Sequence, residues 1–361
     1  MIDFKTAVSL FNADNIGELA ESNEGLRFLK LRSLSRKDQM EALAKEFGIN
    51  ISGTKSRELL SILFDAKISD KDIDSFIRVA YHQEREERRL AEDGLLSELY
   101  KVNAFDWGGL HQNSLEKTIV DNYVKKIRSY DVLESAIDGE LHNSLRSYVL
   151  ASWYNHWSSI IIEDVFKDHK NVLPAVGLIK KIDFFVKDRP FDLKVTYLPE
   201  GYIKDARKED NKKPELTLLR KIAKELKIAF NIDAADSFLL QDIWRKLDDH
   251  PSPVAKELIS DIASSRISIL MKAIAQPDVL VKWLYENQGI RRFDASNRLF
   301  LVLVDKDMFF DSWKLKRARP LIAENVNSYL DNISDNPGVA MTFNWEGKEY
   351  KAVSDIVFVT K

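Results

Sequence analysis

Two acids and a lysine stand out in the stretch KIDFFVKDRPFDLKVTYL (residues 181–198): Asp183, eight intervening residues, then Asp192-Leu193-Lys194. Apolar residues alternate here with period two. The spacing predicts strands over residues 176–186 and 191–198, joined by Lys187-Asp188-Arg189-Pro190. Alternation puts Asp192 and Lys194 on one face and Phe191, Leu193 and Val195 on the other. Asp183, on the neighbouring strand, is placed to point at the same spot. Two hard carboxylates can hold Mg²⁺, which keeps several of its waters. Such an ion lowers the pKa of a bound water and stabilises charge on a phosphate under attack. An adjacent ammonium orients that water or adds further stabilisation. Two carboxylates and a lysine are thus a minimal kit for hydrolysing a phosphodiester.

The triplet alone is cheap in a chain with 31% charged residues; acid-x-Lys occurs eight times, starting at Asp3, Asp65, Asp168, Asp192, Asp210, Glu225, Glu346 and Glu349. Only Asp192 combines an alternating apolar strand, an acid on the strand before it, and a short link. The competing reading is a surface hairpin with a cross-strand charge pair, worth about 0.2–1 kcal/mol.

The elements around this hairpin follow from periodicity. Residues 1–100 read as helical: 34–47 with Met40, Leu43, Ala44 and Phe47 inward and Ser35 as N-cap, a stop at Gly48, then 55–64 with Leu59, Leu60 and Leu63. A third helix runs from Asp70 into HQEREERRLAED (residues 82–93), which reads as a solvated face or an interdomain connector. Residues 106–114 (DWGGLHQNS) read as a loop, and 115–170 as helices. After the two strands, a basic loop leads to a helix over 214–230, and helices continue to residue 285. Residues 298–305 (RLFLVLVD) read as a buried strand, 314–330 as a helix, and VAMTFNW with YKAVSDIVFV as a terminal hairpin. The expected fold is α/β (α+β), a mixed sheet flanked by helices. An all-helical domain covers 1–105, and a second domain covers 106–361 with a helical insertion at about 231–290.

Asp183 and Asp192-Leu193-Lys194, preceded by a helix, resemble the PD-(D/E)xK nuclease superfamily, which includes many restriction endonucleases. The resemblance implies a restriction-endonuclease-like core in the order helix, three strands, helix, strand. It implies metal ligation by Asp183 and Asp192, a catalytic role for Lys194, and a further acid from the preceding helix. Glu163, in IIIEDVF, is the match, with Asp164 as its competitor; His156, two turns earlier, reads as a structural histidine. Ile182 stands where the motif has Pro, and the stretch from Phe230 to Arg298 exceeds what the core needs. The implied activity is a Mg²⁺-dependent endonuclease, with Mn²⁺ able to substitute, of the sequence-specific type II restriction kind. Its partners would be double-stranded DNA, a second copy of the chain matching a palindrome, and a cognate DNA methyltransferase as genetic partner.

A second resemblance lies in LRSLSRKDQMEALAKEFGINISGTKSRELLSILF (residues 31–64), which is similar to the two-helix SAP module that binds nucleic acid. Lys55 and Arg57 at the second helix start would hold a phosphate, with Arg32, Arg36 and Lys37 as a basic flank. Residues 170–227 carry 15 Lys/Arg against 9 Asp/Glu. Within them KDARKEDNKK (residues 204–213) offers Lys204, Arg207, Lys208, Lys212 and Lys213 as a phosphate-contacting loop, continued by Arg220, Lys221 and Lys224. WKLKRAR (residues 313–319) reads as a solvated basic face with Trp313 in the core.

Composition excludes more than it suggests. The chain of 361 residues has no Cys, so thiol catalysis and Cys-ligated zinc are out. A net charge of −3 rules out a histone-like coating of nucleic acid. No run is apolar enough to span a bilayer and the start does not read as a signal peptide, so a cytoplasmic protein is expected. No phosphate-binding Gly-Lys loop, dinucleotide fingerprint, HExxH or nucleophile elbow is present. Two other readings stand beside the restriction enzyme: a non-catalytic DNA-binding or scaffold protein, and a structure-specific repair nuclease.

Overall fold

A computed structural model describes residues 2–34, 36–103, 119–179, 181–287, 297–335, 337–345 and 347–361. The Ser35 cap, the 106–114 loop, the helix start at 115 and the domain border at 105 lie outside the described residues.

The chain opens with α1 (Phe4–Asn12), α2 (Ile16–Ala20), α3 (Asn23–Ser33), α4 (Lys37–Glu46), α5 (Ser56–Asp65) and α6 (Asp70–Tyr100). Local chemistry sets their ends. Asp3 and Ser22 accept the N–H groups of Thr6 and Gly25 as N-caps, and Gly48 stops α4 with φ +65°. Arg27 donates to the carbonyls of Leu63 and Phe64 at the end of α5 and to those of Ala66 and Ile68 just beyond it. Next come α7 (Tyr130–Ala136) and α8 (His142–Lys167), with π-helical turns at Val120–Val124 and Ile137–Leu141.

Three strands follow: β1 (Val172–Ile179), β2 (Ile182–Val186) and β3 (Arg189–Tyr197). The apolar run expected to form one strand over 176–186 is therefore broken. Lys181 takes φ +65°, and its ammonium lies 2.8 Å from Asp14. The excursion after β3 is helical, with α9 (Glu200–Glu209), α10 (Glu215–Glu225), α11 (Asp236–Asp248), α12 (Pro253–Ala275) and α13 (Pro277–Asn287). Residues 204–213, expected as a basic loop, begin inside α9. The chain ends with β4 (Arg298–Val304), a 3₁₀ segment (Phe309–Arg317), α14 (Arg319–Asp331), β5 (Val339–Trp345) and β6 (Lys348–Thr360). The helix expected over 314–330 is thus two pieces, with Pro320 in the first turn of the second.

The six strands form one mixed sheet in the order β1-β2-β3-β4-β6-β5. β1, β2 and β3 run antiparallel, β3–β4 and β4–β6 run parallel, and β5 returns antiparallel to β6. Every residue of β4 is buried, as its continuous apolar sequence requires of a central strand.

The chain divides into two compact units that do not follow sequence order. One comprises Met1–Asp93, Ile161–Pro199 and Met271–Lys361; the other comprises Gly94–Ile160 and Glu200–Leu270. The N-terminal helices are not a separate domain. Phe28, Leu31, Leu43 and Leu63 share one core with Leu173, Ile179, Ile182 and Phe185 of β1 and β2. On the other face, Phe166 of α8 and Val326 of α14 pack on Phe184, Phe191, Leu299 and Leu301. No helix among the described residues is long and apolar enough to cross a membrane.

The run at residues 82–93 is a mostly solvated face, as expected, with two buried charges, whereas the run at 313–319 is mostly buried. In residues 82–93, Arg85 is 1% exposed and its guanidinium lies 3.1 Å from Asp168 and 2.6 Å from Glu92. Arg88 clamps Asp164 with two bonds of 2.9 and 2.7 Å, and Arg319 pairs with Glu92. In WKLKRAR, Lys316 and Arg317 are buried alongside Trp313, and burial pushes the Lys316 amine down to about 8. Removing a buried partner strands its counter-charges, at a cost of about 3–5 kcal/mol. Arg85→Met is expected to lower the unfolding free energy in urea by roughly that amount, whereas Arg89→Met, on the exposed side of α6, is expected to change it little.

Candidate active site

The site begins with a tight turn. Lys187 and Asp188 both adopt positive φ, +48° and +65°, as a two-residue hairpin demands. Asp tolerates this region better than most residues. Its carboxylate is fixed by the buried Lys30 ammonium at 2.7 Å, which also reaches Asp74 at 2.9 Å. From the turn, β2 and β3 pair through Val186↔Arg189 and Phe184↔Phe191. The next step of that register sets Asp183 opposite Asp192. There the backbone ladder gives way: Asp183 Oδ2 accepts the Leu193 N–H at 2.7 Å, and the Asp192 N–H donates to the Asn297 carbonyl at 2.8 Å. β3 thereby leaves β2 for β4 at the two acids.

Asp192 is 4% exposed. Its Oδ1 accepts from Lys194 Nζ at 2.6 Å, on the same face as alternation requires. The parallel register aligns Asp192 with Arg298, whose Nε lies 3.7 Å from Oδ2. That oxygen is buried and accepts no hydrogen bond. Arg298 stacks over Tyr285, whose hydroxyl lies 2.6 Å from Ser354 Oγ. From α8, Glu163 is half-buried and pairs with Lys167 at 3.0 Å.

Burial raises the Asp183 carboxyl to about 6, helped by the charges of Glu163 and Asp192 and opposed by the Leu193 N–H and Lys167. Three acids thus sit within electrostatic reach of one another. Among the described residues no three His, Asp or Glu side chains are gathered tightly enough to hold a metal by themselves. Mg²⁺ does not need them, since it is commonly bound by one or two carboxylates with water and phosphate completing the shell. The donor set fits that requirement: all ligands are hard oxygens, their mutual repulsion calls for a cation, and Asp192 Oδ2 has an unfilled acceptor valence.

Asp183, Asp192, Lys194 and Glu163 are therefore brought together. Asp164, the alternative to Glu163, is turned into the Arg85–Arg88 network instead. Lys167 and Arg298 escaped the sequence reading. Lys167 was signalled by its i+4 spacing from Glu163. Arg298 was signalled only by a charge heading an apolar strand, because its alignment with Asp192 depends on a distant parallel pairing. His156, read as a structural histidine, is exposed and packs its ring against Trp157.

The basic candidates fare unevenly. Arg36 is paired with Glu84 and Lys37 with Glu41, while Lys55 is exposed. The side chain of Arg57 lies outside the described residues. Lys204, Lys208, Lys212 and Lys213 are exposed on and after α9. Arg207 is not available to a phosphate: it is buried, donating to the Lys213 carbonyl and to Ser265 Oγ at 3.0 and 2.8 Å. Arg220 pairs with Asp236, and Lys221 with Glu225.

No family model, curated protein or solved structure matches the chain.

The raised Asp183 carboxyl has a thermodynamic consequence. Its folded value of about 6 lies above the ordinary 3.8, so ionising it disfavours the fold. The penalty is absent below pH 3.8, grows up to about pH 6 and is complete above it. In EDTA at pH 8, Asp183→Asn is expected to raise the unfolding free energy by roughly 1–3 kcal/mol. Below the ordinary carboxylate range the two proteins should unfold alike in urea.

Proposed function

We propose that this protein is a Mg²⁺-dependent endonuclease acting on double-stranded DNA, of the PD-(D/E)xK kind. The observation that carries the reading is the opening of the β2–β3 ladder at two facing acids, with Lys194 beside one of them. The wider topology supports it. Helix α8, antiparallel β1–β2–β3, a helical excursion and β4 parallel to β3 follow the order that the resemblance implies.

In this reading Asp183 and Asp192 hold the ion. Bound there, Mg²⁺ supplies an acidified water and charge stabilisation at the phosphorus. Lys194 contributes the mobile charge. Its side chain is 44% exposed, so the ammonium can leave Asp192 and turn toward the attacking water or the scissile phosphate. Arg298 stays behind, 3.7 Å from Asp192 on its buried side. Glu163, paired to Lys167, orients a water near Asp183. Exposed Lys55, Lys204, Lys208, Lys212 and Lys213 would add phosphate contacts that fix position without reading sequence. A type II restriction enzyme cutting a palindrome would work as a homodimer. A repair nuclease would recognise structure instead, and discrete fragments from a long DNA would separate the two.

A second reading, a DNA-binding protein without catalysis, is favoured by the closed Lys194–Asp192 ion pair. Plasmid digestion decides. Cleavage is expected with Mg²⁺ and not with EDTA, and Lys194→Ala is expected to lower the rate by at least about 10²-fold. Equal cleavage by Lys194→Ala and the unmodified protein overturns the assignment. Absence of Mn²⁺ binding sensitive to Asp192→Asn favours the second reading.

A further inference from the structure

α6, the end of α8 and the start of β1 flank a half-open cavity of about 410 Å³, within the range of small-ligand clefts. Arg78, Tyr81, His82, Lys167, Asp168 and Lys170 line it.

The charges in this wall are unequal in how far they are already committed. Asp168, its acid, is held by Arg85 at 3.1 Å and by the Tyr81 hydroxyl at 2.9 Å. Arg78 is half-buried and bonds two neutral carbonyls, those of Val172 at 2.8 Å and Lys170 at 3.1 Å. Those bonds fix the guanidinium plane and leave three of its five N–H donors to spare, with Asp74 one turn earlier as its nearby acid. Lys170 is 78% exposed on its side chain, reaching Asp331 at 3.4 Å. His82 is exposed at the rim, tilted against Tyr81. The wall thus presents a fixed fork of donors, two lysines and an imidazole around a space bounded by a tyrosine ring.

Lys167 ties this cavity to the carboxylates. Its side chain lines the wall and is only 14% exposed, while its ammonium lies 3.0 Å from Glu163. An anion in the cavity would therefore sit next to the lysine that pairs with Glu163 and acts on Asp183.

We propose that this cavity binds a phosphate of a polynucleotide strand next to the one being cut, with Arg78 as the fixed fork and His82 and Lys170 as closing contacts. The identity of the ligand rests on the nuclease reading; the presence of an anion site does not.

The experiment uses the full chain in EDTA, with inorganic phosphate and a 5′-phosphorylated oligothymidylate as probes, read by calorimetry and by phosphorus NMR line width. Both probes are expected to bind, and to compete. The double variant His82→Ala/Lys170→Ala, which changes exposed side chains, is expected to weaken both by about tenfold, the value of one charge-assisted contact. Arg78→Gln should weaken them further, with its folding checked by circular dichroism. The double variant Asp183→Asn/Asp192→Asn should bind inorganic phosphate at least as tightly as the unmodified protein does, since it removes negative charge near the cavity. No binding of either probe, or binding indifferent to His82→Ala/Lys170→Ala, overturns the proposal. Binding of inorganic phosphate alone overturns its assignment to a polynucleotide. A chain that binds both probes here yet never cuts DNA would sink the nuclease reading and leave this site standing.

Discussion

Two carboxylates set face to face where a strand pair separates impose the condition that the surrounding structure has to meet. At an effective dielectric near 20, two like charges about 4 Å apart repel by roughly 4 kcal/mol, and burial adds a desolvation cost. The protein answers from three directions. Lys194 lies on one side of Asp192 and Arg298 on the other, while Leu193 lends Asp183 its backbone N–H. Lys167 offsets the third acid, Glu163, from the helix above. These supports come from β3, β4 and α8, so the gap is held open by the sheet and its covering helix together.

Parts of this were written plainly in the sequence. The alternation FDLKV required Asp192 and Lys194 to share a face, and the short link required Asp183 to face them. β4 and the terminal hairpin were legible for the same reason, since unbroken or alternating apolar runs leave few choices. The break inside residues 176–186 was not legible. Lysines at 180 and 181 fit a strand's outer face as well as they fit a turn, and only the positive φ of Lys181 distinguishes the two.

The buried charges inside the charged stretches were hidden for a different reason. HQEREERRLAED and WKLKRAR have compositions that belong at a surface, and a solvated face is the ordinary outcome. Arg85 departs from it because Asp168 lies 83 residues away in sequence yet against it in the fold. Arg207 departs from it because Ser265 and the Lys213 carbonyl supply an interior partner set. A buried charge is recognised by its partners, and partners at that range leave no periodic trace.

β3 ends at Tyr197 and β4 begins at Arg298, so the strand that carries Asp192 waits for its parallel neighbour across roughly a hundred residues of chain. β4 in turn gains its second neighbour from β6, which is made later still. During synthesis at about 5–20 residues per second, the acidic hairpin therefore emerges many seconds before Arg298 is available to flank it. The order of assembly is built into the topology: the pair of acids stands on an incomplete sheet until β4 docks beside β3 and β6 beside β4.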